Sequence, residues 1–282
     1  MSIKASAIRF LMKIVRPGAV SAYLALFFKG LLRLIPIRKQ IAARNLEIAL
    51  PEKTPREREA ILWKTYDHLI WMGIEFAALQ RDPRLVLDWV DFENESALDD
   101  SEGGILLASH VGNWELCGAR LAQGGHDVTA IVRESNDDGE RGVIAGMRAR
   151  TGWKFISHKA PMTRALSVLK KNAFLAILPD QHSGPAGIAV PFFGLATSTP
   201  QGPAVFAYLT KKPIIPLYIR RIRPFKHVMR VGEPIKWDTT RTGERDRTIY
   251  EITAAVNREV EQMVREAPDQ WLAQHKRFKE HY

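Results

Sequence analysis

His110 and Glu115 stand five residues apart in the run Ser109-His110-Val111-Gly112-Asn113-Trp114-Glu115. On one regular helix, five positions turn about 140°, so the pair would not face each other. A strand end, a tight turn at Gly112 and a helix start would bring them closer. Asn113 is a suitable N-cap and would place Glu115 in the first helical turn. There the helix dipole favours the ionised carboxylate. Such a carboxylate can hold one imidazole nitrogen and leave the other to take a proton. No serine or cysteine nucleophile is needed if the hydroxyl of a substrate attacks directly. The spacing alone also fits a strand-end histidine and a solvated glutamate.

The elements that must position this pair begin near residue 103. Short apolar runs there alternate with helical patterns. Strands are expected at Ile105–Ala108, Val128–Val132, Trp153–Ile156, Phe174–Leu178 and Ile214–Ile219. Helices are expected at 114–123, 138–150, from Pro161 to Asn172, and over Pro200–Lys211. Residues 225–236 read as an edge hairpin, and 244–266 as a long C-terminal helix. Strand–helix alternation with continuously apolar strands predicts an α/β fold, a mostly parallel or mixed sheet flanked by helices. His110 then follows the first strand, Arg133 the second and Asp180 the fourth. Ligands collect beyond the carboxyl ends of such strands, so the three residues are expected at one edge of one cleft.

Composition points to a polyanionic partner. Lys and Arg total 41 against 31 acidic residues, a net charge of +10, with a pI near 9.8. Anionic lipid, a phosphorylated substrate and nucleic acid all fit that balance. No recognition-helix, finger or stacking-platform signature supports nucleic acid. Cys117 is the one cysteine, which excludes an internal disulfide framework, and no Cys/His cluster at ligand spacing points to a metal.

The N-terminus reads differently from the rest. Ile3, Ala7, Phe10, Leu11 and Ile14 share one helical face, with Arg9, Lys13 and Arg16 opposite. That is the pattern of a helix lying in a membrane interface, or of one packed on the protein itself. The uncharged stretch Pro17–Phe28 is shorter than the ~18–20 residues of a spanning helix. Residues 1–50 are therefore expected to form a membrane-associated helical segment, followed by an α/β domain over 51–282. Residues 55–80 read as a helix with apolar positions from Ile61 to Leu79.

Several motifs in order resemble those of the bacterial lipid A biosynthesis acyltransferases, within the wider glycerol-3-phosphate acyltransferase-like group that carries a His-x4-Asp/Glu motif. Arg44-Asn45-Leu46 with Pro51 is similar to the N-terminal signature of that family. His110 to Glu115 matches its catalytic motif, and Arg133 with Asn136 its Arg-x-x-Asn segment. Pro179-Asp180-Gln181-His182 and Gly184-Pro185, running to Pro191-Phe192-Phe193-Gly194, resemble its Pro-Asp block. Thr197, Thr199, Gly202, Ala204 and Pro213 to Arg220 fit the next block, and Trp271, Lys276, Arg277 and Phe278 the end.

The resemblance implies a thioester donor on acyl carrier protein, a phosphorylated glycolipid acceptor, and a place on the cytoplasmic face of an inner membrane. It implies no cofactor. His110 is then the general base, oriented by Glu115. Arg133 would meet an acceptor phosphate or the developing oxyanion, unless it pairs with Glu134 or Asp138. Asp180 would bind sugar hydroxyls, support the catalytic geometry, or cap the turn that follows it. His182 is a second candidate beside it. Arg220, with Arg221 and Arg223, forms a basic run for lipid phosphates or the carrier protein, or a solvated edge. Other acceptors remain open, among them phosphatidylinositol mannosides and lysophospholipids with acyl-CoA as donor. So does a noncatalytic lipid-binding role on the same scaffold.

Overall fold

The computed structural model describes residues 3–98, 102–134, 137–235, 237–238 and 244–282. In chain order the elements are α1 (Ile3–Ile14), α2 (Ala19–Leu34), α3 (Lys39–Ala49), α4 (Pro55–Leu79), α5 (Leu85–Trp89), β1 (Val90–Glu93), β2 (Gly104–Leu107), α6 (Trp114–Gln123), β3 (Val128–Val132), α7 (Asp138–Arg150), β4 (Lys154–Ser157), α8 (Met162–Lys170), β5 (Phe174–Ile177), β6 (Ile188–Phe192), β7 (Leu195–Thr199), α9 (Gly202–Thr210), β8 (Ile214–Arg223), β9 (Lys226–Val231) and α10 (Arg245–Glu266).

Every residue of β2 and β5 is buried, because these strands sit mid-sheet with helices on both faces. Alternation decides which core each side chain joins. Ile105, Leu107, Leu175, Ile177 and Ile214 enter one core with α3, α8, α9 and α10. Leu106, Phe174, Ala176, Ile215 and Leu217 enter the other with α4, α5 and α6. The seven-stranded sheet runs β1-β9-β8-β2-β5-β3-β4. From β8 to β4 all neighbours are parallel. β9 returns antiparallel to β8, and β1 runs parallel to β9. The mixed α/β architecture expected from the alternation is the one observed.

Two features were not legible in the alternation. β1 is an edge strand with only its first residue buried, so it lacks an apolar run. β6 and β7 form a separate antiparallel pair, with Pro191 placed in a two-stranded ribbon where a missing donor costs little.

α4 starts where its sequence says it should. Thr54 and Glu57 form a reciprocal capping box and Pro55 takes the first turn. α3 is part of the main core: Leu46 is fully buried there, and Asn45 donates to the carbonyls of Ala273 and His275, both at 2.6 Å. α1 also packs on the protein, through Ala5, Ile8 and Met12 against Phe76, Val143 and Met147. Ala7 and Phe10, assigned above to an apolar face, point outward.

α2 is different. Val20, Tyr23, Leu26, Phe27, Leu31 and Leu34 are all exposed, as are Ile35 and Ile37 after it. No single described helix is long and apolar enough to cross a membrane. α2 and α3 pass that test only together, and they meet at 92°.

Candidate active site

Leu107 of β2 and Ile177 of β5 are register partners. His110 and Asp180 each lie three positions beyond that pair, so neighbouring parallel strands deliver them side by side. Ala108 N–H donates to the Ile177 carbonyl at 3.2 Å, which extends the ladder towards them. His110 Nδ1 lies 2.7 Å from Asp180 Oδ1. The His110 backbone N–H donates to Oδ2 of the same carboxylate at 3.1 Å. Burial of Asp180 would raise its pKa. The ring and backbone N–H of His110 and the charge of Arg277 outweigh burial and hold it below the usual carboxylate range.

An ionised carboxylate only accepts, so Nδ1 carries the ring proton. Nε2 is then the basic nitrogen. The Gln181 side-chain amide sits 3.3 Å from Nε2, a donor facing a lone pair. Trp114 meets the imidazole edge-on, with ring centroids 4.8 Å apart.

Glu115 is in the first turn of α6, and Asn113 Oδ1 caps that helix by accepting from Leu116 N. Its carboxylate does not reach His110. Arg148 of α7 binds it with two donors, Nη2 at 2.6 Å and Nε at 3.1 Å. The expectation that Glu115 orients His110 is therefore corrected: Asp180 occupies Nδ1, and Glu115 faces a guanidinium fork. Burial would weaken the charge on Arg148, but Glu115 outweighs it and raises the pKa. Of the three expectations for Asp180, the geometry fits support of the histidine.

A cleft of about 430 Å³ opens beside His110. Its polar lining includes Arg133, Glu134, Arg141, Arg148 and Gln181. Its apolar lining includes Ala130, Ile144, Ala145, Trp153, Phe155 and Leu178. Arg133 is exposed one residue after β3, and among the described residues it makes no pair with Glu134 or Asp138. Asp138 is instead the partner of Arg141. Asn136 lies outside the described residues.

Two expected site residues are elsewhere. His182 Nε2 bonds Glu280 at 2.5 Å, and its Nδ1 accepts from Gly184 N at 3.0 Å. With both nitrogens committed, His182 ties the turn to the C-terminal segment. Arg220 is exposed and lines a second cleft of about 310 Å³ with Tyr218, Arg230 and Glu266, a cleft that Ser109 and Val111 also line but His110 does not. Of its neighbours in the basic run, Arg221 is paired with buried Glu75. Cys117 is buried, and its thiol is pushed up to about 12 by that burial, as suits a core residue.

Sequence reasoning missed Arg148 and Gln181. A signal for Arg148 was present. Arg141, Ile144, Ala145 and Arg148 recur at three- and four-residue spacing, one face of α7, and all four line the cleft.

The model of the family described as "Bacterial lipid A biosynthesis acyltransferase" matches residues 7–280. The chain is 25% identical over 250 residues to the lipid A biosynthesis palmitoleoyltransferase of Escherichia coli, covering 86% of this chain and 79% of that protein. It is 26% identical over 137 residues to the phosphatidylinositol mannoside acyltransferase of Mycolicibacterium smegmatis, 47% of this chain and 45% of that protein, so the match spans under half of that relative. The solved 1-acyl-sn-glycerophosphate acyltransferase of Thermotoga maritima aligns over 80% of this chain and 97% of its own, at a TM-score of 0.35 and 14% identity. With the model matched from the first helix to the C-terminal segment, the chain belongs to the bacterial lipid A biosynthesis acyltransferase family.

Proposed function

We propose that the chain moves a fatty acyl group from the thioester of acyl carrier protein to a hydroxyl of a phosphorylated glycolipid, a lipid A precursor. The observation that carries this reading is the Asp180 carboxylate on His110 Nδ1, which leaves Nε2 as the base beside a cleft lined by three arginines. His110 Nε2 removes the acceptor hydroxyl proton as the oxygen attacks the thioester carbonyl. The C–O bond forms, the C–S bond breaks, and the imidazolium returns its proton to the pantetheine sulfur. Asp180 stays ionised throughout and stabilises the imidazolium. The exchange is balanced without a cofactor.

Arg148, held by Glu115, offers an oriented guanidinium to the oxyanion. Arg133, exposed where it lines the cleft, offers another to an acceptor phosphate. The apolar lining takes hydrocarbon. The exposed apolar stripe of α2 seats the protein on the cytoplasmic face of the inner membrane, where both the acceptor and a monotopic enzyme would lie.

A second acceptor class is favoured by one observation, the similarity to a phosphatidylinositol mannoside acyltransferase. One experiment separates the two. Purified protein is incubated with acyl carrier protein charged with several chain lengths, and separately with acyl-CoA. Acceptors are a lipid A precursor, a phosphatidylinositol mannoside and a lysophospholipid, read by mass spectrometry. The lipid A precursor is expected to gain one acyl mass, and His110→Ala to lose activity by about 10³-fold or more. Near-normal transfer by that variant overturns the role of His110. Transfer only to another lipid reassigns the acceptor.

A further inference from the structure

Behind the catalytic turn lies a buried polar cluster that the proposed chemistry does not use. His68 and Glu75 are seven residues apart on α4, and so on one face. His68 is 3% exposed and Glu75 fully buried. Polar groups there are tolerated only when bonded, and these are. Glu75 Oε1 accepts from Arg221 Nε at 2.9 Å and from Phe225 N at 3.0 Å. Oε2 accepts from Arg221 Nη2 at 2.8 Å and from Asn113 Nδ2 at 2.9 Å, with His227 Nε2 3.2 Å away. Burial would raise this carboxyl, but His227 and the Arg221 guanidinium outweigh it and hold it below the carboxylate range.

His68 has a fixed tautomer. A guanidinium only donates, so Nδ1, 2.5 Å from Arg221 Nη1, must accept. Nε2 therefore carries the proton and donates to the Gly112 carbonyl at 3.0 Å. Burial and the neighbouring Arg221 pull the His68 pKa down to about 3, so the ring is neutral.

The cluster thus delivers an N–H to the Gly112 carbonyl and a carboxylate to the Asn113 amide. Gly112 has a φ of +67°, and a Cβ there would lie 2.0 Å from the Ile219 carbonyl oxygen. From the other side, Gly112 N donates to Gln270 O at 3.1 Å, and Leu272 N donates to His110 O at 2.9 Å. The Gln270 side chain accepts from Arg221 N at 2.7 Å and donates to Arg221 O at 2.9 Å. Arg221 therefore serves both clamps, through its main chain and its guanidinium. A buried ion pair adds little stability over apolar packing of the same volume, so geometry is the better reason for its presence.

We propose that His68, Glu75 and Arg221 are positioning residues for acyl transfer, fixing Gly112 and Asn113 so that His110 and the start of α6 face the cleft correctly. This rests on the reading of His110 as the general base. None of the three lines the His110 cleft.

The test uses the full chain as wild type, His68→Ala, His68→Gln and Asn113→Ser. Steady-state kcat and KM for both substrates are measured, with thermal midpoints and amide hydrogen exchange over residues 109–117. The Asn113→Ser change would retain the helix cap through its hydroxyl but lose the link to Glu75. His68→Ala is expected to lower kcat about 10- to 100-fold, with each KM within about threefold. His68→Gln should recover most of the loss, since its amide can reach the Gly112 carbonyl. Asn113→Ser should lower kcat about tenfold, and exchange over 109–117 should rise in both damaged variants. Wild-type kcat in His68→Ala and Asn113→Ser overturns the proposal, as does a loss that His68→Gln does not restore. Should His68→Ala fail to fold, His68→Gln and Asn113→Ser decide: a wild-type kcat in Asn113→Ser, or a full loss in His68→Gln, sinks it. A wild-type protein that transfers no acyl group defeats the active-site reading. The exchange data then still judge the clamp, and unchanged exchange in the variants refutes it.

Discussion

The two sides of the turn at residues 110–113 use the same residue types to opposite ends. In front, His110 has one nitrogen bound by Asp180 and the other beside the cleft, with its side chain 18% exposed. Behind, His68 has both nitrogens committed and almost no access to solvent. In front, Arg148 meets one carboxylate at the wall of a cleft. Behind, Arg221 meets another that is fully buried. On the proposed reading, His110 can do chemistry because one nitrogen is fixed by Asp180 and the other faces the cleft with only the long contact to the Gln181 amide. With both of its own fixed, His68 is a strut.

The comparison breaks first at Asp180. Asp180→Asn can present an amide N–H to Nδ1 and select the wrong tautomer, so activity should fall about 10³- to 10⁴-fold with the fold retained. Product mass and circular dichroism check this together, and an active variant would end the division between front and rear. Arg148→Lys keeps the charge but loses the fork. Its kcat should drop roughly tenfold, measured on the same acceptor, and no change would move Arg148 out of the working side.

The rear histidine should appear in stability as well as in the geometry of the turn. The folded pKa of His68 lies below that of a free histidine, so the unfolded chain binds more protons between the two values. Stability should therefore fall as pH drops from about 6.5 towards about 3. His275, pulled down to about 4 by burial, contributes in the same direction. Urea midpoints from pH 7 to pH 4 should show a shallower slope for His68→Gln than for the wild type, and equal slopes would contradict a buried neutral ring. The smallest effect is expected at Arg220. It lies in the other cleft, and Arg220→Ala should leave kcat/KM within about twofold, as expected of an exposed substitution away from such features.

Much of this was legible because strand ends carry it. The apolar runs at 105–108 and 174–178 fixed the placing of His110 and Asp180 near one edge. The Asn113 cap put Glu115 on its helix. What could not be read was which carboxylate would reach the imidazole. That depends on β2 and β5 being neighbours in register, a relation between residues far apart in the chain. The proximity of Glu115 to His110 in sequence pointed the other way. The rear cluster was hidden for a related reason. His68 and Glu75 interrupt an apolar helix, and their partners come from β8, β9 and the turn itself. Arg221 read as one member of a surface run, because alternation in a strand near a sheet edge does not say which side is covered.

The closure of this turn by Gln270 and Leu272, with Asn45 bonding Ala273 across 228 positions, bears on when the protein becomes active. Contacts so distant in sequence carry a large loop-closure entropy that the folded packing must offset. A chain folded only through its central strands would carry His110 and Asp180 as neighbours, yet its turn would lack one wall. On the proposed reading, the site is complete only when the C-terminal segment is docked as well as the central strands folded.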